Sequence, residues 1–294
     1  MAPQPFTVPS KFPMNPDRRQ VLGLLGGLGG IGLLTLAGCG SSDSDAAGTR
    51  SRSGSGASSS GSTSGSTAGT TATSGAATTT AECVEVPEET GGPYPADGSN
   101  GPNVLNQDGV VRSDIRSSFG SLNGTASGTP LTMKVTVLDL DNGCAPLKGA
   151  ALYAWHCDGA GLYSLYSQGA TSQNWCRGVQ TTDATGALTF TTVFPGAYQG
   201  RYPHVHFEVY PNLAAATSGG TKLVTSQMAM PEDACNTVYG LSGYETSARN
   251  FPQTPLSRDM VVRDGVSQQM ATVTGAPGSN LTSTLTIAVS RGAV

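Results

Sequence analysis

The stretch Pro195–Val209 reads PGAYQGRYPHVHFEV and joins a loop start to an extended segment. Pro-Gly is typical of a turn, and the alternation from His204 onward is typical of a strand. Residues two apart on a strand point to the same face, so His204 and His206 are predicted to project into one space. They are two of the three histidines in the chain. Because imidazole is the commonest metal ligand in proteins, this pair is a candidate metal-binding pair.

Period-two alternation, the pattern of half-buried strands, also dominates the sequence around this stretch. Turns rich in Gly, Asn and Asp separate the alternating segments, and no long helical periodicity competes with them. The predicted strands are residues 131–138, 150–155, 186–193, 205–210, 222–228, 260–263, 269–274 and 282–289. Residues 99–123 and 231–255 are predicted to be long irregular coverings. We therefore expect an all-β fold, an antiparallel-rich β-sandwich with long covering loops.

Residues 1–39 are expected to be an export signal. Arg18 and Arg19 precede an apolar, glycine-rich run that ends in Leu-Ala-Gly-Cys39. A basic region, an apolar region and small residues before a cleavage point form a signal peptide. The paired arginines resemble a twin-arginine (Tat) signal, and LAGC resembles a bacterial lipobox in which Cys39 is lipidated. An uncleaved membrane helix is the alternative, although the glycines make the run weakly hydrophobic for a span.

Residues 40–81 are dominated by Ser, Gly, Thr and Ala and contain no aromatic residue. Such a segment cannot bury enough apolar surface to offset its conformational entropy, so it is predicted to be a disordered tether. Residues 82–294 remain as one folded domain. The protein is then expected to be exported and lipid-anchored to the outer side of a bacterial membrane, or secreted. The formal net charge of −4 and the lack of a Lys/Arg cluster argue against a nucleic-acid partner.

Five cysteines fall in the expected exported domain, where two disulfides and one free thiol are the expected outcome. Cys157 and Cys176 flank the same loop and are the favoured pair. Cys83 with Cys235 is a weaker prediction, and the pairing of the five cysteines as a set stays open. A thiolate metal site is disfavoured because no CxxC spacing occurs.

Four blocks of sequence occur in a characteristic order. They are WHCDGAGLYS at 155–164, RGVQTTDATG at 177–186, FPGAY at 194–198 and RYPHVHFEV at 201–209. Together they resemble the successive blocks of the intradiol ring-cleavage dioxygenases, the family of catechol and protocatechuate 3,4-dioxygenases. The resemblance extends over about residues 89–294 and includes GGPYP at 91–95.

The resemblance implies one non-haem Fe(III) ion bound by two tyrosines and two histidines. The implied ligands are Tyr163, Tyr198, His204 and His206. Tyr163 follows Trp155 by eight residues, as the ligand of the family follows its tryptophan. Tyr166 is an alternative to Tyr163, and Tyr202 is an alternative to Tyr198. Phenolate oxygen suits the hard ferric ion.

The resemblance also implies roles for residues around the iron. Arg201 matches the arginine that lies against the substrate and would stabilise negative charge there. Tyr198 is implied to be the ligand that leaves and takes a substrate proton. Gln227 weakly matches a glutamine near the oxygen site, with Ser226 as the alternative one residue earlier. His156 is expected to form hydrogen bonds in or beside the core rather than to bind metal.

The function implied is cleavage of a catechol-type ring by O2 between its two hydroxyl-bearing carbons, giving a cis,cis-muconate-type diacid. One alternative is a surface-tethered module that binds metal or aromatic compounds on the same fold without turnover. A zinc or copper hydrolase-like site is another, although tyrosines are unusual zinc ligands. Arg177 and Arg249 are the candidate cations for a substrate carboxylate. The oligomeric state stays open.

Overall fold

The computed structural model describes residues 83–292. The predicted export signal, the tether and the lipidation site Cys39 lie outside the described residues and stay predictions. Between residues 83 and 292, no helix is long and apolar enough to cross a membrane.

The described chain consists mainly of strands with a few short helices. The strands are β1 (Pro130–Asp139), β2 (Ala145–Pro146), β3 (Ala151–Trp155), β4 (Arg177–Thr181), β5 (Ala187–Val193), β6 (His204–Tyr210), β7 (Val224–Ala229), β8 (Thr272–Ala276) and β9 (Ser279–Val289). The α-helices are α1 (Leu213–Thr217), α2 (Glu232–Tyr239) and α3 (Glu245–Asn250), and 3₁₀ turns occupy Leu140–Asn142, Phe251–Gln253 and Leu256–Arg258.

The strands form two sheets. One sheet has the order β2-β1-β9-β8, with β5 also paired to β1, and the other has the order β4-β3-β6-β7. The pairings among strands β1 to β9 are antiparallel except that of β1 with β9. The predicted all-β, antiparallel-rich sandwich is confirmed.

A hydrophobic core fills the space between the sheets. Val135 of β1, Leu152 of β3 and Phe207 of β6 belong to this inter-sheet core. Because side chains alternate along a strand, His204 and His206 lie on the opposite face of β6. That face is also covered, since every residue of β6 is buried. The sheet β4-β3-β6-β7 therefore carries the inter-sheet core on one face and, on the other, a second buried cluster that includes Tyr153, Trp155 and Tyr163.

Several segments differ from the sequence predictions, among them β2 and β4, which were not predicted to be strands. Residues 260–263, predicted to be a strand, form turns. The Asp259 carboxylate accepts the backbone N–H groups of Val261 and Val262 at 2.8 and 3.4 Å, which curls the chain. Residues 231–255, predicted to be irregular, contain α2 and α3. Helix α2 carries acidic residues in its first turn, where their negative charge interacts favourably with the positive end of the helix dipole. One face of the helix is buried in the inter-sheet core.

Both predicted cysteine pairings are wrong. Cys83 is bonded to Cys144, with Cα atoms 6.1 Å apart, whereas Cys157, Cys176 and Cys235 are buried free thiols. Cys157 and Cys176 lie in different hydrophobic clusters, and the Cys157 thiol is directed to a backbone carbonyl 3.3 Å away. Cys235 lies in the inter-sheet core, and its thiol is directed to the Met230 carbonyl.

Candidate metal centre

Strand β6 delivers two imidazoles to one buried space. The side chains of His204 and His206 are buried, and their Nε2 atoms are 2.9 Å apart. The His204 Nδ1 is 2.5 Å from the Tyr202 carbonyl and donates to it. The His206 ring stacks on Trp155 with 4.9 Å between centroids and 2° between planes. These contacts orient the two rings so that their Nε2 atoms face each other.

Burial keeps both imidazoles neutral at physiological pH. Desolvation, followed by the positive charge of Arg201, lowers the pKa of His204 to about 3. Desolvation and the neighbouring His204 hold the pKa of His206 well below its usual value. A neutral imidazole has a free lone pair, which is the form that binds a metal ion.

Two tyrosine rings complete a ring of four side chains. Tyr163 and Tyr198 lie 5.4 Å apart between centroids. Tyr198 is 5.7 Å from His204, and Tyr163 is 6.4 Å from His206. Within residues 83–292 the buried hydroxyl of Tyr163 has no hydrogen-bond partner. The structure thus brings together the four residues that the sequence blocks implied.

The two alternative tyrosines lie elsewhere. The Tyr166 hydroxyl accepts the Ala96 N–H and donates to the Asn100 carbonyl, both at 2.9 Å. The Tyr202 ring belongs to the inter-sheet core and packs against Phe251 at 5.7 Å between centroids. Their roles are therefore to hold a covering loop and to fill the core.

Arg201 lies beside the four rings and is held by two partners. Its Nε is 2.9 Å from Asp259 Oδ2, and its Nη2 is 2.5 Å from Gln227 Oε1. The charge of Arg201 opposes the burial that raises the pKa of Tyr198. Gln227, which weakly matched a glutamine near the oxygen site, accepts this hydrogen bond from Arg201.

The segment 91–95, GGPYP, covers this space. Tyr94 packs on Tyr163 with 4.7 Å between centroids. Gly92 has φ +66°, and a Cβ there would lie 3.3 Å from a ring carbon of His206, so the close approach requires glycine. The Pro95 carbonyl accepts the Tyr153 hydroxyl at 2.7 Å. The covering segment is thus fixed to the sheet below it.

The remaining polar candidates have structural partners. The two ring nitrogens of His156 bond to the Cys157 carbonyl and the Thr192 hydroxyl, each at 2.7 Å, which confirms the expected structural role. Arg177 is fully buried and donates to backbone and side-chain oxygens. Arg249 is an exposed residue that donates to Thr246.

Comparisons with known proteins bear on the fold that holds these residues. Residues 101–235 match the family model Dioxygenase_C, described as Dioxygenase. The intradiol ring-cleavage dioxygenase from Tetranychus urticae is similar in structure, with a TM-score of 0.55 and 23% identity over 72% of this chain and 97% of that chain. Dioxygenase Tetur07g02040 gives a TM-score of 0.54 and 23% identity over the same shares. The chain has the fold of the intradiol ring-cleavage dioxygenases.

The resemblance of the sequence blocks to the intradiol dioxygenases is therefore confirmed. Catechol 1,2-dioxygenase from Acinetobacter sp. ADP1 is a more distant structure, with a TM-score of 0.39 and 18% identity over 61% of this chain and 57% of that chain. No curated protein sequence matches the chain.

The donor set in this intradiol dioxygenase fold fits a ferric ion. Within residues 83–292, no group of three or more His, Cys, Asp or Glu side chains is arranged to hold a metal ion. Tyr163 and Tyr198 are oxygen-bearing side chains beside the histidine pair. Two imidazole nitrogens and two phenol oxygens suit a hard, highly charged cation. The unpartnered, buried hydroxyl of Tyr163 is the group that such a cation would satisfy.

Both phenols are protonated at neutral pH unless a cation is present. Burial, and then the proximity of Tyr198, raises the pKa of Tyr163 well above its usual value. Burial raises the pKa of Tyr198 to about 12. A bound cation would have to displace these protons, so metal binding at this site is coupled to proton release.

Sequence reasoning missed two features of the site. Asp259 pairs with Arg201 from 58 residues away, and no local pattern connects them. Tyr94 stands in the block GGPYP with no pattern that marks it as a site residue, although its ring contacts Tyr163. The Gly-Gly-Pro run beside Tyr94 was a usable signal, because adjacent glycines often mark a close backbone approach.

Proposed function

We propose that this chain is an Fe(III)-dependent intradiol dioxygenase that cleaves a catechol-type ring between its two hydroxyl-bearing carbons. Both atoms of O2 would enter the product, a cis,cis-muconate-type diacid. Tyr163, Tyr198, His204 and His206 would hold one ferric ion. The single observation that carries the proposal is the unpartnered Tyr163 hydroxyl beside two facing imidazole nitrogens, in a dioxygenase fold.

The residues around the rings have distinct proposed tasks. A bound ferric ion would supply the positive charge that ionises phenols and activates the ring towards O2. Tyr198 is less buried than Tyr163 and lies under the influence of Arg201, so we assign its hydroxyl oxygen as the acceptor of a substrate proton. Arg201 stabilises negative charge on the substrate through its remaining N–H groups. Tyr94, with the covering segment 91–95, limits access of water.

The proposed setting is outside the cytoplasm, with Cys39 as the lipid attachment site and residues 40–81 as the tether. The Cys83–Cys144 disulfide supports an oxidising compartment. Catechol and O2 are the proposed small-molecule partners, with the membrane contacted through the lipid.

Oxygen uptake by the iron-loaded protein tests the proposal. A panel of catechols is added, and ring-opened product is quantified against O2 consumed. We expect one O2 per catechol cleaved. Arg201→Ala should keep bound iron but turn over far more slowly, and His204→Ala should lose iron. Catechol binding without O2 uptake would instead establish a binding module, and the proposed activity would be wrong.

A further inference from the structure

The guanidinium of Arg201 is held from two sides. Its Nε lies 3.1 and 2.9 Å from the two carboxylate oxygens of Asp259. Its Nη2 donates to Gln227 Oε1, and Gln227 Nε2 donates to the Thr90 carbonyl at 2.9 Å. That second bond fixes the amide so that its oxygen faces the arginine. The Arg201 side chain is only 13% exposed and that of Asp259 is 0% exposed, so water competes little with either contact.

Asp259 is itself a fixed acceptor. Its Oδ2 accepts the Tyr202 N–H at 2.6 Å, and its Oδ1 accepts the Val261 N–H at 2.8 Å. Burial opposes ionisation, but the Tyr202 N–H and then the charge of Arg201 keep the pKa of Asp259 below its usual value. The carboxylate is therefore charged and has one orientation, set by the backbone on both sides.

We propose that Asp259 is a positioning residue that aims Arg201 at the substrate, an inference that rests on the proposed function. A guanidinium has five N–H groups, and Asp259 and Gln227 use two of them. Gln227 lies directly opposite His206 in the pairing of β6 with β7, so its contact with Nη2 places the guanidinium at the edge of the candidate metal centre. Asp259 thus determines which edge of the guanidinium faces the candidate metal centre.

The pairing with Asp259 fixes the orientation of the Arg201 guanidinium and does not add positive charge. The carboxylate partly offsets the positive charge of Arg201, so charge alone would not favour its presence beside a developing anion. An arginine held by Gln227 alone keeps rotational freedom, and small misplacements of a charge-stabilising group reduce rate strongly.

Asp259→Asn tests this inference in the iron-loaded full chain. The variant replaces one carboxylate oxygen by an NH2 group that cannot accept from Arg201. We expect kcat/KM to fall about 10-fold or more, with iron content and visible absorption unchanged. The matched control is Asp114→Asn, which breaks the exposed pair with Arg116 and should leave kcat/KM unchanged.

A double-mutant cycle separates positioning from a general structural role. In the Arg201→Ala background, Asp259→Asn should cost no further kcat/KM, because its effect passes through the arginine. An equal loss in both backgrounds would overturn the inference. If Asp259→Asn does not fold, Arg201→Lys replaces it, because lysine keeps the charge without the planar fork. Full kcat/KM in a folded Arg201→Lys variant would also overturn it.

The affinity for 4-nitrocatechol gives a readout that does not need turnover. Asp259→Asn and Arg201→Ala should each weaken it about 3-fold or more, and the double variant should be no weaker than Arg201→Ala alone. Unchanged affinity in Asp259→Asn contradicts the positioning role whether or not the wild type turns over. If the 4-nitrocatechol affinities of the variants follow the expected pattern but the wild type shows no turnover, the proposed function is contradicted and the positioning role is not.

Discussion

Replacement of Tyr163 by phenylalanine is expected to stabilise the metal-free protein while abolishing its capacity to bind iron. The Tyr163 hydroxyl is buried and has no hydrogen-bond partner between residues 83 and 292. A buried polar group without a partner costs about 1–3 kcal/mol. Phenylalanine keeps the ring contacts with Tyr94 and Tyr198 but removes that cost. The free energy of unfolding should therefore rise by about 1 kcal/mol or more.

Urea denaturation of the chelator-treated protein measures this change. Tyr153→Phe is the matched control, because its equally buried hydroxyl donates to the Pro95 carbonyl at 2.7 Å and accepts from Arg177 at 3.2 Å. Loss of that hydroxyl should lower the free energy of unfolding by about 1 kcal/mol. If Tyr163→Phe destabilises the protein as Tyr153→Phe does, the Tyr163 hydroxyl is satisfied in the metal-free state and is not reserved for a cation.

Three further predictions concern stability. Reduction of the Cys83–Cys144 disulfide, with its sequence separation of 61, should lower the free energy of unfolding by about 4 kcal/mol, measured by urea denaturation with and without reductant. Burial, and then the charge of Asp264, raises the pKa of Glu89 to about 7. Between about pH 4.5 and pH 7 the folded protein therefore holds a proton that the unfolded chain has lost, so the free energy of unfolding falls as the pH rises. The thermal midpoint of the wild type should fall over that interval relative to Glu89→Gln, and parallel curves would contradict this. Burial lowers the pKa of His156 to about 4. Because the unfolded chain then takes up a proton that the folded protein does not, the free energy of unfolding should be about 2 kcal/mol lower at pH 5. In His156→Gln the free energy of unfolding should fall less steeply as the pH is lowered.

Most of the strands and the histidine pair were predictable because both depend on local periodicity. Alternation along β1 and β6 reports which face is buried, and the two-residue spacing of His204 and His206 fixes their common face whatever the rest of the fold does. The tyrosines were found differently. Tyr163 and Tyr198 stand on loops, where no periodicity exists, and only the resemblance to known sequence blocks identified them.

The errors share a physical origin, which is proximity between distant segments. Cys83 meets Cys144 because residues near Glu85 run beside Ala288 of β9, and β9 pairs with β1. Nothing near either cysteine encodes that path. The Asp259–Arg201 pair is of the same kind. Helices α2 and α3 were missed because each has eight residues or fewer, too short for a helical period to stand out.

Ferric titration of the purified protein, followed by visible absorption, tests the central claim most directly. Tyrosinate bound to ferric iron absorbs visible light, whereas free tyrosine does not. We predict an absorption band that saturates at one iron per chain and is lost in Tyr163→Phe. A colourless protein after ferric loading, or a band that persists unchanged in Tyr163→Phe, would contradict the assignment of the two tyrosines and two histidines as a ferric site.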